Sequence, residues 1–176
     1  MRKWMLKWSV WAMVVCIAGA FAGCGSDDDD DKPEPEFKEA KMKYEFSFGE
    51  DFRTVADFTV TYQDADGTEK TETVMGDSWT KEFSATKLPF TTKVVLKTVS
   101  KNAVLDKASY QFTANYACSA SVYETESESA VMFRTFSSSE NETVAKDDVE
   151  AFLEVLGEQS FSYTVRQNED GSYTIE

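Results

Sequence analysis

Tyr110-Gln111-Phe112-Thr113-Ala114-Asn115-Tyr116-Ala117-Cys118-Ser119-Ala120-Ser121-Val122 is the clearest alternation in the chain. In an extended chain Tyr110, Phe112, Ala114, Tyr116, Cys118, Ala120 and Val122 point one way, and Gln111, Thr113, Asn115, Ala117, Ser119 and Ser121 point the other. Strict alternation over this length is the signature of a strand with one buried and one wet face. Its length predicts a long strand, bulged or shared between two sheets.

Working outward, the same period recurs. Met42, Tyr44, Phe46 and Phe48 alternate with Lys41, Lys43, Glu45 and Ser47. Phe58, Val60 and Tyr62 repeat the pattern, Asp64-Ala65-Asp66-Gly67 turns, and residues 68–75 return as the second arm of a hairpin. Gly76-Asp77 leads into a strand from Trp79. After Leu88-Pro89, residues 91–99 with Val94-Val95-Leu96 at their centre predict a strand covered on both faces. Beyond Val122 an acidic hairpin loop spans residues 124–129, and Val131, Phe133 and Thr135 pair back. The period changes once, where Val149, Phe152, Leu153 and Leu156 stand at helical spacing. There Asp147 with Glu150 resembles a capping box and Gly157 supplies the stop. Phe161, Tyr163 and Val165, an Asn168-Glu169-Asp170-Gly171 turn and residues 172–175 close the chain. The expectation is a mainly β, two-sheet antiparallel sandwich over residues 37–176, with one short helix near the C-terminus. A curved sheet wrapped on that helix is the alternative. Residues 58–90, with Thr-rich strands, the Asp-Ala-Asp-Gly turn and Trp79 ahead of Leu88-Pro89, look like an immunoglobulin-like sandwich of small bacterial lipoproteins.

The N-terminal residues carry an address. Arg2, Lys3 and Lys7 precede a 14-residue apolar run, residues 8–21, ending in small residues, the plan of an export signal over residues 1–23. A helix needs about 20 apolar residues to span a bilayer, so cleavage is expected over a permanent span. Phe21-Ala22-Gly23-Cys24 resembles the lipobox of bacterial lipoproteins, with Phe21 where leucine is usual. That resemblance implies cleavage between Gly23 and Cys24 and a diacylglycerol on the Cys24 thiol. Ala20-Phe21-Ala22 also reads as an ordinary small-x-small cleavage site, which would leave Cys24 free. Each buried methylene contributes about 0.8 kcal/mol, so two or three acyl chains would hold the protein to a membrane.

Residues 25–36 hold no apolar side chain and include two prolines, so with Cys24 they read as an extended tether over residues 24–36, reaching up to about 40 Å. Asp27, Asp28, Asp29, Asp30 and Asp31 directly behind the anchor are similar to the acidic export signal of surface lipoproteins in gut-commensal Gram-negative bacteria. The resemblance implies the outer membrane, facing the exterior; a solvated spacer is the plainer reading.

The formal charge is −14, and loss of a leader with three bases and no acid makes it −17. Basic residues are scattered among more numerous acids, so nucleic acid is excluded as a partner. Such charge favours solubility and monomeric behaviour. After the leader and the lipid site only Cys118 remains, on the apolar side of its strand, so a buried, inert thiol is expected.

The chain has no histidine, which removes Ser-His-Asp and Cys-His machinery and histidine-ligated zinc. No carboxylate pair is marked by spacing, so no catalytic residue, enzyme activity, cofactor or metal is assigned. Asp64 and Asp66 stand like the opening of a calcium loop but lack its remaining ligands, and hairpin turns favour the same residues. Asn141-Glu142-Thr143 is read as a loop ahead of the helix. Tyr62, Trp79 and Tyr123 would form a glycan or protein contact only if their rings point outward. The leading expectation is a surface-anchored, non-enzymatic binding or adhesion lipoprotein. The alternative is an accessory or structural subunit of a glycan-capture or fimbrial assembly.

Overall fold

The computed structural model describes residues 36–63 and 67–176; Gly23, Cys24, Asp27 to Asp31, Asp64 and Asp66 lie outside the described residues. The elements in chain order are β1 (Phe37–Phe48), α1 (Glu50–Val55), β2 (Ala56–Gln63), β3 (Glu69–Thr73), β4 (Ser78–Ala85), β5 (Phe90–Ser100), β6 (Ser109–Glu124) and β7 (Met132–Ala145). A 3-10 turn (Lys146–Asp148), α2 (Val149–Leu156), β8 (Glu158–Gln167) and β9 (Tyr173–Ile175) complete it. They form two antiparallel sheets of order β4-β1-β6-β7 and β3-β2-β5-β8-β9, the expected β-sandwich.

Alternation explains the packing. Tyr44, Phe46 and Phe48 of β1, and Tyr110, Phe112 and Tyr116 of β6, turn their rings onto the second sheet. Phe48 stacks on Phe58 with ring centroids 3.8 Å apart, Phe46 meets Phe161 at 5.0 Å, and Phe136 of β7 meets Tyr163 at 4.3 Å. Truncating such a ring to alanine costs about 3–5 kcal/mol, so these layers carry much of the stability. Among the described residues every buried core residue lies between Ala40 and Ile175, within the compact unit Glu34–Glu176, which therefore contains a complete core of its own.

The strand registers sort the connections by end. Hairpins β2–β3, β6–β7 and β8–β9 turn at the end where β1 begins, and Thr125 N donates there to Glu36 O at 2.9 Å. At the opposite end the chain crosses between sheets through α1, residues 74–77, residues 101–108 and α2.

Several local expectations are revised. β6 is one unbroken strand inside one sheet, paired with β1 on one side and β7 on the other. β5 is covered on one face: Val94 and Leu96 are buried, whereas Lys93, Lys97 and Val99 are exposed. Asn141 belongs to β7, opposite Thr113, because β7 runs on to Ala145. Glu150 caps nothing. It accepts from Ser100 Oγ at 2.9 Å, and the helix is entered through the 3-10 turn without a side-chain cap bond. Gly157 does end α2, at φ 44°.

α1 is a second helix, too short to show a helical period. Its Phe52 packs between Phe58 and Phe112 at 4.8 and 5.0 Å. A Cβ at Gly49 would stand 3.2 Å from Thr113 Cβ, so the small residue lets the chain leave β1 close against β6.

Candidate functional site

Tyr62 and Trp79 lie together, but inside the sandwich edge. Val60 and Tyr62 face inward on β2, and β3 brings Glu72 in beside them, while Trp79 and Lys81 share the inward face of β4. The Tyr62 hydroxyl donates to Glu72 Oε1, Trp79 Nε1 donates to Glu72 Oε2 at 2.8 Å, and Lys81 Nζ donates to the Tyr62 hydroxyl at 2.8 Å. Lys81 also lies over the Tyr62 ring, 4.6 Å from its centroid. The Tyr62 hydroxyl first, then the Trp79 N–H and Lys81, hold the Glu72 carboxyl below its ordinary value against the opposing effect of burial. The polar ends of both rings are thus spent on bracing the edge strands of opposite sheets. Glu72 carries no distinguishing mark in the sequence, because Tyr62 stands 10 residues away across the β2–β3 hairpin and Trp79 stands 7 residues away on the other sheet.

Tyr123 is elsewhere, on the outer face of β6 at the end where β1 begins, with Lys41 Nζ 5.3 Å from its ring centroid. Val131 and Phe133 share that face, Phe133 with 66% of its surface exposed. Beside them an open depression of about 330 Å³ is lined by Glu124, Val131, Met132, Gly171, Ser172 and Tyr173. It is shallow and of mixed polarity, suited to a surface contact and not to enclosing a reacting group.

The opposite end offers a built loop. Residues 101–108 are pinned where the Tyr110 hydroxyl accepts from Asp106 N at 2.7 Å and Lys107 N at 3.2 Å. Lys107 Nζ pairs with Asp51 of α1, whose other carboxylate oxygen accepts from Gln111 N at 2.8 Å. These two interactions, the backbone donor foremost, hold the Asp51 carboxyl below its usual range. Lys101 Nζ donates to Arg53 O at 2.6 Å and pairs with Asp57 at 3.2 Å. On this fixed frame Val104 is 93% exposed, and Met75 in the β3–β4 turn at the same end of the sandwich is 91% exposed. Periodicity could not single out either exposed apolar side chain, since turn residues obey no period.

Cys118 is buried, and burial pushes its thiol up to about 12. Glu140 of β7 is half-buried and held above its ordinary value, by burial first and then by Glu142. Among the described residues no group of three or more acids, cysteines or histidines is placed to hold a metal, and no helix is long and apolar enough to cross a membrane. The chain matches no protein-family model, no curated protein and no solved structure.

Proposed function

We propose that this protein is a surface-anchored, non-enzymatic binding or adhesion lipoprotein, held through Cys24 to the outer membrane and facing the cell exterior. The observation that carries the binding reading is the polarity of the sandwich. The chain enters beside the hairpin turns at one end, and the braced loop of residues 101–108 presents Val104, with Met75 beside the β4 entry, at the other. A tether of residues 24–36 would leave that end farthest from the membrane. Support for the anchor comes from Ala22-Gly23-Cys24 and the aspartates behind it.

The test is a screen of the Glu34–Glu176 fragment against glycans and host-matrix proteins, repeated with Met75→Ser and Val104→Ser. Binding that falls in both variants while the fold is unchanged supports this reading. A stoichiometric partner co-purifying from detergent extracts would favour the accessory subunit instead. Turnover abolished by one Asp or Glu substitution would overturn both.

A further inference from the structure

β7 forms the open edge of the four-stranded sheet and is 14 residues long, against 8 for β4 at the other edge. Its backbone orientation follows from the ladder. Lys146 N donates to Ala108 O in continuation of the Ser109 to Ala145 register, so even-numbered β7 residues turn their N–H and C=O toward β6. By alternation Thr135, Ser137 and Ser139 turn theirs to the open side.

Long edges are usually blunted by charges pointing inward, and β7 has three on the face that packs toward the second sheet: an exposed Glu142 near its end, and the part-buried Arg134 and Glu140. The part-buried pair is placed symmetrically, with opposite signs and each three residues from Ser137, and Glu142 would come opposite Met132 of a second copy. A foreign strand laid on this edge meets one desolvated charge of each sign. A second β7 running antiparallel with Ser137 on the two-fold axis meets neither unpaired, because Arg134 of each copy comes opposite Glu140 of the other. The same register sets Thr135 against Ser139 of the second copy with their backbone groups facing. We propose that β7 is a self-recognition edge, and that two copies of this chain pair through it into one continuous eight-stranded antiparallel sheet. The charges that discourage other strands thereby select this one. Among the described residues the Arg134 guanidinium donates from Nη1 to Ile175 O at 2.5 Å and lies over the Phe136 ring, 4.9 Å from its centroid, which leaves further N–H donors for the contact. Glu140 gains a cation where it now has burial and Glu142 against it.

Sedimentation of the Glu34–Glu176 fragment over a concentration series, at physiological salt where repulsion between negative domains is screened beyond about 8 Å, reads the dimer directly. Arg134→Glu or Glu140→Arg alone should weaken it about tenfold or more, by opposing like charges twice across the axis. The two single variants mixed together should recover wild-type association, since every opposed pair is then of opposite sign. Ser137→Pro removes only an outward N–H, and should abolish the dimer while leaving the β circular dichroism intact. Amide exchange at Thr135, Ser137 and Ser139 should slow as concentration rises. A monomer at every concentration would overturn the proposal. So would a dimer indifferent to Ser137→Pro and to both charge reversals.

Discussion

Glu72 is the residue whose removal tests most directly how the sandwich edge is held. Glu72→Ala deletes the acceptor for Trp79 Nε1 and for the Tyr62 hydroxyl, both on rings that are almost fully buried. A hydrogen bond to a charged group contributes about 1.5–3 kcal/mol, and a buried donor left without a partner costs a similar amount. The carboxylate is 42% exposed, so water and salt take over part of that loss, and the Lys81 ion pair at 3.5 Å adds little. The expected destabilisation is therefore about 2 kcal/mol for Glu72→Ala and about 1 kcal/mol for Glu72→Gln, which keeps an acceptor but not the charge. For a domain of this size 2 kcal/mol lowers Tm by about 6 °C. Trp79 is the sole tryptophan of the Glu34–Glu176 fragment, so urea unfolding followed by its fluorescence reports from the site itself. A lower midpoint at unchanged m is the expected form of the result.

The pH dependence supplies a second check. The folded carboxyl lies below its ordinary value, so its contribution is complete above the unfolded glutamate range and is lost as pH falls through the folded value. The gap between wild type and Glu72→Gln should close on acidification. A Glu72→Ala urea midpoint indistinguishable from wild type, or a gap that does not change with pH, would refute the reasoning.

Tyr44→Phe should cost about 1–2 kcal/mol, because the buried hydroxyl bonds Thr92 Oγ1 at 2.6 Å. Adding Thr92→Val should cost less than the sum of the single changes in a urea double-mutant cycle. Cys118 should resist a thiol reagent in the folded protein and titrate as one thiol after denaturation; labelling of the native fragment would show that β6 opens. Labelled fatty acid should enter the full-length chain in a Gram-negative host and be lost in Cys24→Ala, equal labelling of the two counting against the lipid anchor. Replacing Asp27 to Asp31 with serine should leave that label intact and reduce cleavage by external protease on whole cells, and unchanged cleavage would make the run a spacer.

The helix at residues 149–156 and the faces of β1, β2 and β6 were legible because side-chain direction is a local property of an extended or helical backbone. Tyr110 to Val122 had to alternate in and out whatever they touched. The capping box at Asp147 and Glu150 failed for the complementary reason. Spacing alone cannot show that Ser100, on β5, claims the Glu150 carboxylate. α1 escaped notice because six residues hold too few turns for a period, and its place is set by Phe52 entering an aromatic cluster drawn from β1, β2 and β6. Of the candidate contact residues, the sequence marked Tyr62, Trp79 and Tyr123 as aromatic, but a ring's type does not state whether its face is bare.

A mainly β chain, a helix over residues 149–156 and the place of Cys118 on the apolar face of its strand could be read from the residues alone, because side-chain periodicity acts residue by residue. Which strands are neighbours was set by the packing of the two sheets. It put β4 beside β1 and not beside β3, kept β6 whole within one sheet, and left β7 as a long open edge. Those choices turn on how two twisted sheets bury their aromatic faces against each other, a cooperative fit between residues tens of positions apart. The Glu72 brace and the opposed charges of β7 follow from that fit.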